Sequence, residues 1–138
     1  MKRVTGIGGI FYKSKDPKKA REWYGKHLGL ATNQYGSLFE FRQGANPDKV
    51  GYLQWSPMDA ATDYYAPSKN EFMINYRVEN LVELLKTLKE EGVEIVGKME
   101  EYEYGKFAWI MDPEGHKIEL WEPVDAVFTK DNEGKTTM

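Results

Sequence analysis

Apolar residues dominate the stretch from Ile7 to Tyr12, and the segment 6–15 reads as a strand. Asp16-Pro17 follows as a helix start. An aspartate can accept an orphan amide as N-cap, and proline suits the first helical turn. Ala20, Trp23, Tyr24 and Leu28 then recur at helical spacing, and Gly29 supplies a left-handed stop. Short apolar runs over 30–35, 37–43 and 49–56 predict three strands, punctuated by Gly36 and by Gly44-Ala45-Asn46-Pro47.

The second half runs through the same pattern. Phe72 to Val78 reads as a strand. Asn80 caps a helix, and Glu83 stands three residues on, as in a capping box. Leu81, Leu84, Leu85 and Leu88 form its apolar stripe, and Gly92 ends it. Strands follow at about 94–102, 105–111 and 116–122, the last entered through Asp112-Pro113-Glu114-Gly115. Gly9 aligns with Met73, Ile10 with Ile74, Tyr12 with Tyr76 and Asp16 with Asn80. After one deletion Gly29 aligns with Gly92, so the period is roughly 63 residues. The prediction is an α+β chain of two tandem βαβββ modules, about 5–57 and 71–123. A linker spans 58–70 and a polar tail spans 124–138. The tail is expected to fray apart from Val127-Phe128. The linker holds Tyr64, Tyr65 and Pro67. It either covers a cavity mouth or crosses the surface with its tyrosines packed down.

Composition narrows the function. At 138 residues the chain is read as one domain able to bury about two-thirds of its unfolded surface. It has no cysteine, which removes disulfides and thiol catalysis and fits a reducing compartment. The start, Met1 to Gly9, has no apolar leader, and no segment has the length of a membrane span. A cytoplasmic location is expected. The net charge of -3 argues against nucleic acid. The basic run Lys13, Lys15, Lys18, Lys19 and Arg21 is read as a solvated face. Aromatic residues make up 14%, enough to line a pocket as well as fill a core. The glycines Gly6, Gly8 and Gly9 lie inside a strand, not at a strand-to-helix turn. They are read as allowing close approach where the modules meet, not as a dinucleotide fingerprint.

Three phrases carry a family resemblance: SKDPKKAREWYGKHLGL at 14–30, YRVENLVELLKTLKEEGVEI at 76–95 and FAWIMDPEGHKIELWEP at 107–123. In this order the chain resembles the vicinal oxygen chelate superfamily of glyoxalase I, bleomycin-resistance proteins and extradiol dioxygenases. The resemblance implies that each module curls its sheet into half a cup around a shared cavity, with the helices outside. It also implies a homodimer, and a metal held by four residues. Two of these come from the first strands of the modules, here Gly9 and Met73. Two come from the last strands, here Glu119 and either Gln54 or Leu53. Glycine has no side chain and a thioether prefers soft metals, so a full divalent site is not expected. Gln54 and Glu119 remain as weak metal candidates. His27 closes the first helix near its C-terminus and His116 enters the last strand; neither is read as a ligand.

Strand alternation puts Lys117 and Trp121 on the face of Glu119, and Phe11 on that of Gly9. The resemblance adds Phe107 and Trp109 on the same wall, with Asn75 and Arg77 opposite. The expectation is an aromatic pocket with a carboxylate and a guanidinium, suited to a small organic ligand. The plainer alternative is that the rings only close the cavity and Glu119 pairs with Arg77 or Lys117. Three functions follow: a ligand-binding protein without a metal; a metal-dependent lyase, isomerase or dioxygenase using Glu119 as base or ligand; or a fold kept for interaction alone.

Overall fold

The computed structural model describes residues 2–138. The strands and helices run β1 (Val4–Ser14), α1 (Pro17–Leu28), β2 (Thr32–Asn33), β3 (Gly36–Gln43), β4 (Asn46–Asp59), β5 (Phe72–Val78), α2 (Leu81–Glu90), β6 (Ile95–Tyr102), β7 (Gly105–Met111), β8 (Lys117–Pro123) and α3 (Asp125–Asp131). Both predicted βαβββ units are present. Their strands join in one curved mixed sheet of order β2-β3-β4-β1-β5-β8-β7-β6, which stays open at its ends. Within each unit the first strand pairs parallel to the last, β1 with β4 and β5 with β8. The units meet through the antiparallel pair β1–β5. Among the described residues no helix is long and apolar enough to cross a membrane.

The caps form where the sequence places them. Asp16 accepts from the Lys19 amide at 3.1 Å, and Gly29 closes α1 at φ 74°. Asn80 accepts from the Glu83 amide at 3.2 Å. The other half of a capping box, Glu83 accepting from the Asn80 amide, is not formed among the described residues. The first-turn amide of Leu81 donates to Glu122 of β8, at 2.8 Å, so a neighbouring strand supplies the acceptor. The α2 stripe is buried as predicted. Leu81 and Leu84 join Val78, Ala108, Ile110 and Leu120, with Leu85 and Leu88 packed against them. The α1 stripe is not. Trp23 is 53% and Leu28 60% exposed, while Tyr24 packs its ring on Trp55 at 4.7 Å between centroids.

The tail departs most from the sequence reading. Instead of fraying, residues 125–131 form α3. Phe128 packs against Tyr52, Tyr104 and Trp121, and Thr129 bonds the Tyr52 hydroxyl at 2.7 Å. Thr137 then lies along β3: its amide donates to Leu38 O at 2.8 Å, and its carbonyl accepts from Glu40 at 3.2 Å. This explains why β2, expected over 30–35, is only two residues long. It pairs with Gly36 and Ser37, and the tail takes the next part of that edge.

The β1 glycines serve side chains more than backbones. A Cβ on Gly8 would meet Arg77 Cγ and Trp121 Cε3, each at 2.9 Å, and Asn75 Oδ1 closer still. On Gly9 it would meet the Phe11 ring at 2.7 Å. β1 is thinned so that the inner side chains of β5 and β8 can lie across it. Overpacking at such a point typically costs about 1–3 kcal/mol. Gly8→Ala is therefore expected to lower stability in chemical denaturation by that amount, and an unchanged midpoint would contradict this packing.

Candidate functional site

The inner side of the sheet, the linker and α3 enclose a cavity of about 920 Å³. Rings from six segments line it: Phe11 from β1, Tyr35 from the β2–β3 turn, Tyr64 from the linker, Tyr104 and Phe107 at β7, Trp121 from β8 and Phe128 from α3. Phe107 and Trp121 stack with centroids 5.7 Å apart and planes 10° apart. Ring stacking of this kind holds a flat wall in place.

Glu119 lies within this wall, 2% exposed. Its Oε2 accepts from Asn75 Nδ2 at 2.7 Å, and its Oε1 accepts from Trp109 Nε1 at 3.1 Å and from the Tyr64 hydroxyl. The three donors come from β5, β7 and the linker, and all are neutral. Among the described residues no cationic group lies within ion-pair distance of Glu119. Burial pushes its carboxyl above the usual glutamate range of 4.5. The bonds from Asn75, Tyr64 and Trp109 and the charge of Lys117 oppose that rise without cancelling it. Burial also raises the Tyr64 phenol, with the Glu119 charge adding to it. The Tyr65 phenol is pushed up to about 12, again mainly by burial.

The remaining residues singled out in the sequence divide into three groups. Phe11, Asn75, Phe107 and Trp121 line the cavity with Glu119. Trp109 and Lys117 stand behind Glu119. Trp109 is 7% exposed in a core cluster with Tyr65 and Met73. The Lys117 ammonium lies over the Tyr64 and Trp109 rings and donates to Tyr64 O at 2.8 Å. Burial lowers its pKa. Arg77 is elsewhere. It faces inward but stacks between Phe41 and Trp121 and opens into a second hollow. There it forks onto Asp125 at 3.0 and 2.5 Å and donates to Tyr52 O at 3.3 Å. The guanidinium expected in the pocket thus anchors α3.

In module one, Gln54 and not Leu53 lines the cavity. Gln54 Nε2 donates to Ser56 Oγ at 3.1 Å, and Ser56 donates to Tyr35 O at 2.5 Å. Tyr64 and Ser56 were not legible as site residues: the linker has no periodicity, and Ser56 lies at the end of its strand. His116 is a turn residue, bonded at 2.7 Å to Asp112.

A family model matches residues 6–120, described as the Glyoxalase/Bleomycin resistance protein/Dioxygenase superfamily. The chain belongs to this superfamily. No curated protein matches the sequence. Among solved structures, methylmalonyl-CoA epimerase from Mycobacterium tuberculosis is 22% identical, with a TM-score of 0.60 over 92% of this chain and 93% of that one. A Streptomyces coelicolor methylmalonyl-CoA epimerase variant in complex with 2-nitronate-propionyl-CoA is 13% identical, with a TM-score of 0.62 over 88% and 96%. A superfamily member from Vibrio splendidus is 13% identical, with a TM-score of 0.52 over 84% and 97%. At these identities the likeness is one of fold.

The superfamily's metal was tested against the residues at its four positions. Gly9 offers no donor. Met73 is fully buried between Tyr65 and Trp109. Gln54 donates its amide to Ser56, and Glu119 is the one carboxylate among the four positions. Among the described residues no three His, Cys, Asp or Glu side chains gather where they would hold an ion. This donor set does not fit a divalent metal.

Two outcomes are expected. Asp125→Ala leaves a buried guanidinium unpaired. Because Asp125 is partly exposed, the loss should fall somewhat short of a fully buried pair, at about 2–4 kcal/mol in denaturant unfolding. The second concerns pH. A carboxyl raised above 4.5 on folding binds its proton more tightly in the folded state. Its contribution is full below about 4.5 and is lost as pH rises through the folded value. Stability of Glu119→Gln relative to wild type should therefore climb with pH between about 4.5 and the folded value, by at most about 1.4 kcal/mol per pH unit, and level off above it. A flat or falling difference would contradict the assignment.

Proposed function

We propose that this superfamily member binds a small amphipathic organic molecule in the ring-lined cavity around Glu119, without the family's full metal site. The observation that carries this reading is the cavity itself: about 920 Å³, walled by seven rings on six segments, with a buried carboxylate among them. Ligand pockets of drug-sized molecules run to about 300–1,000 Å³ and combine apolar walls with a few placed polar groups. The plainer alternative, rings that merely close a core, leaves such a volume unexplained.

A second reading has Glu119 as a general acid or base of a lyase or isomerase. Its raised pKa favours this, since proton-transfer groups work best near the operating pH. The metal-dependent form, dioxygenase included, has less support because the donor set at the four positions does not fit an ion. Unchanged turnover in Glu119→Gln would remove the catalytic reading. A homodimer remains the proposed assembly, checked by light scattering for twice the mass of the chain.

The binding reading is tested by thermal shift with naphthalenemethanol, a neutral ring-sized probe. At ten times its Kd the melting temperature should rise by about 5 °C. Phe107→Ala, which removes half of the stacked pair, should weaken the probe at least about five-fold. No shift with this probe or with a panel of aromatic amines, acids and amides would overturn the reading.

A further inference from the structure

The chemistry of the cavity wall narrows the ligand, provided the binding reading above holds. Its ionisable groups are unbalanced. Asp59, Glu119 and Asp131 line the cavity against Arg21 alone. Glu119 is 2% exposed, the donors bonded to it are all neutral, and Lys117 is not within ion-pair distance of it. Aromatic side chains line the cavity with Glu119, and a ring face attracts a cation and does nothing for an anion.

The decisive atom is on Asn75. This residue is 2% exposed and lines the cavity. Its Nδ2 donates to Glu119, which leaves Oδ1 as a buried acceptor with no partner. Oδ1 sits over Gly8, itself part of the cavity wall, where the absence of a side chain leaves room for it. A buried unsatisfied acceptor is costly, and a ligand N–H or O–H relieves it. A carboxylate or phosphate would bring acceptors to acceptors. A quaternary ammonium would satisfy the rings and Glu119 but has no hydrogen for Oδ1.

We propose that the cavity takes a protonated primary or secondary amine on an apolar, ring-sized body, its N–H groups directed at Glu119 and Asn75 Oδ1. The aromatic wall then receives the body of the ligand, and Asp59 and Asp131 favour the approach of the cation. Glu119, which feels the Lys117 charge only at a distance, gains a direct ion-pair partner.

Calorimetric titration at neutral pH tests this with four probes of one ring system: naphthylmethylamine, its trimethylammonium analogue, naphthalenemethanol and naphthoic acid. The primary amine should bind at least about ten-fold tighter than the alcohol and about three-fold tighter than the trimethylammonium, with the acid weakest. Glu119→Gln should lower amine affinity at least about ten-fold and leave the alcohol within about two-fold. If Glu119→Gln does not fold, the wild-type ranking decides alone. An acid or alcohol that binds as well as the amine overturns the amine assignment and leaves the binding reading standing. Binding by none of the four removes both.

Discussion

A carboxylate at 2% exposure, held by neutral donors alone, is the constraint on which the rest of this structure turns. Moving such a group out of water costs several kcal/mol unless each oxygen finds donors. Bonds to a charged acceptor return about 1.5–3 kcal/mol each. The fold places those donors by joining its two modules side by side. Asn75 is opposite Glu119 in the β5–β8 register, and Trp109 is opposite it in the β7–β8 register. Tyr64 arrives from the linker, so the crossover between modules also closes the wall. The thinned β1, with glycine at 8 and 9, makes room for Asn75 and Trp121 to lie inward.

A second polar device, the Arg77–Asp125 fork, fastens α3 over the same sheet. The guanidinium is clamped between two rings while α3 lends Phe128 to the cavity. The inner side of the sheet is therefore divided between one charge held in a direct ion pair and one whose hydrogen-bond donors are all neutral. The first holds structure together. The second is the one the proposed ligand would meet, and a ligand that supplies positive charge would turn its burial from a cost into recognition.

Much of this was legible from residue order. Asp16, Gly29, Asn80 and Gly92 marked the helix ends because caps are local chemistry, read within four residues. Glu119 was legible because a final strand of known pattern carried it, and alternation then placed Trp121. What failed was non-local. Arg77 looked like a pocket residue because its ion-pair partner lies 48 residues away in a polar tail with weak periodicity. The tail looked frayed for the same reason, since Asp125, Phe128, Thr129 and Thr137 each find their partner on a different strand or ring. Tyr64 was visible only as one tyrosine of a linker, and nothing local distinguished it from Tyr65, which packs into the core at 1% exposure. Trp23 and Leu28 obeyed helical spacing yet stayed exposed, because periodicity shows that residues share a face and not that a neighbour covers it.

The account stands or falls on the state of Glu119. Its side-chain carboxyl carbon can be followed by NMR as pH is varied in the ligand-free protein. A buried carboxyl with neutral donors alone predicts a titration midpoint above 4.5, displaced downward when an amine occupies the cavity. A midpoint at or below 4.5 would mean that the carboxylate is solvated or already paired with a cation, and the buried, dipole-held Glu119 described here would be wrong.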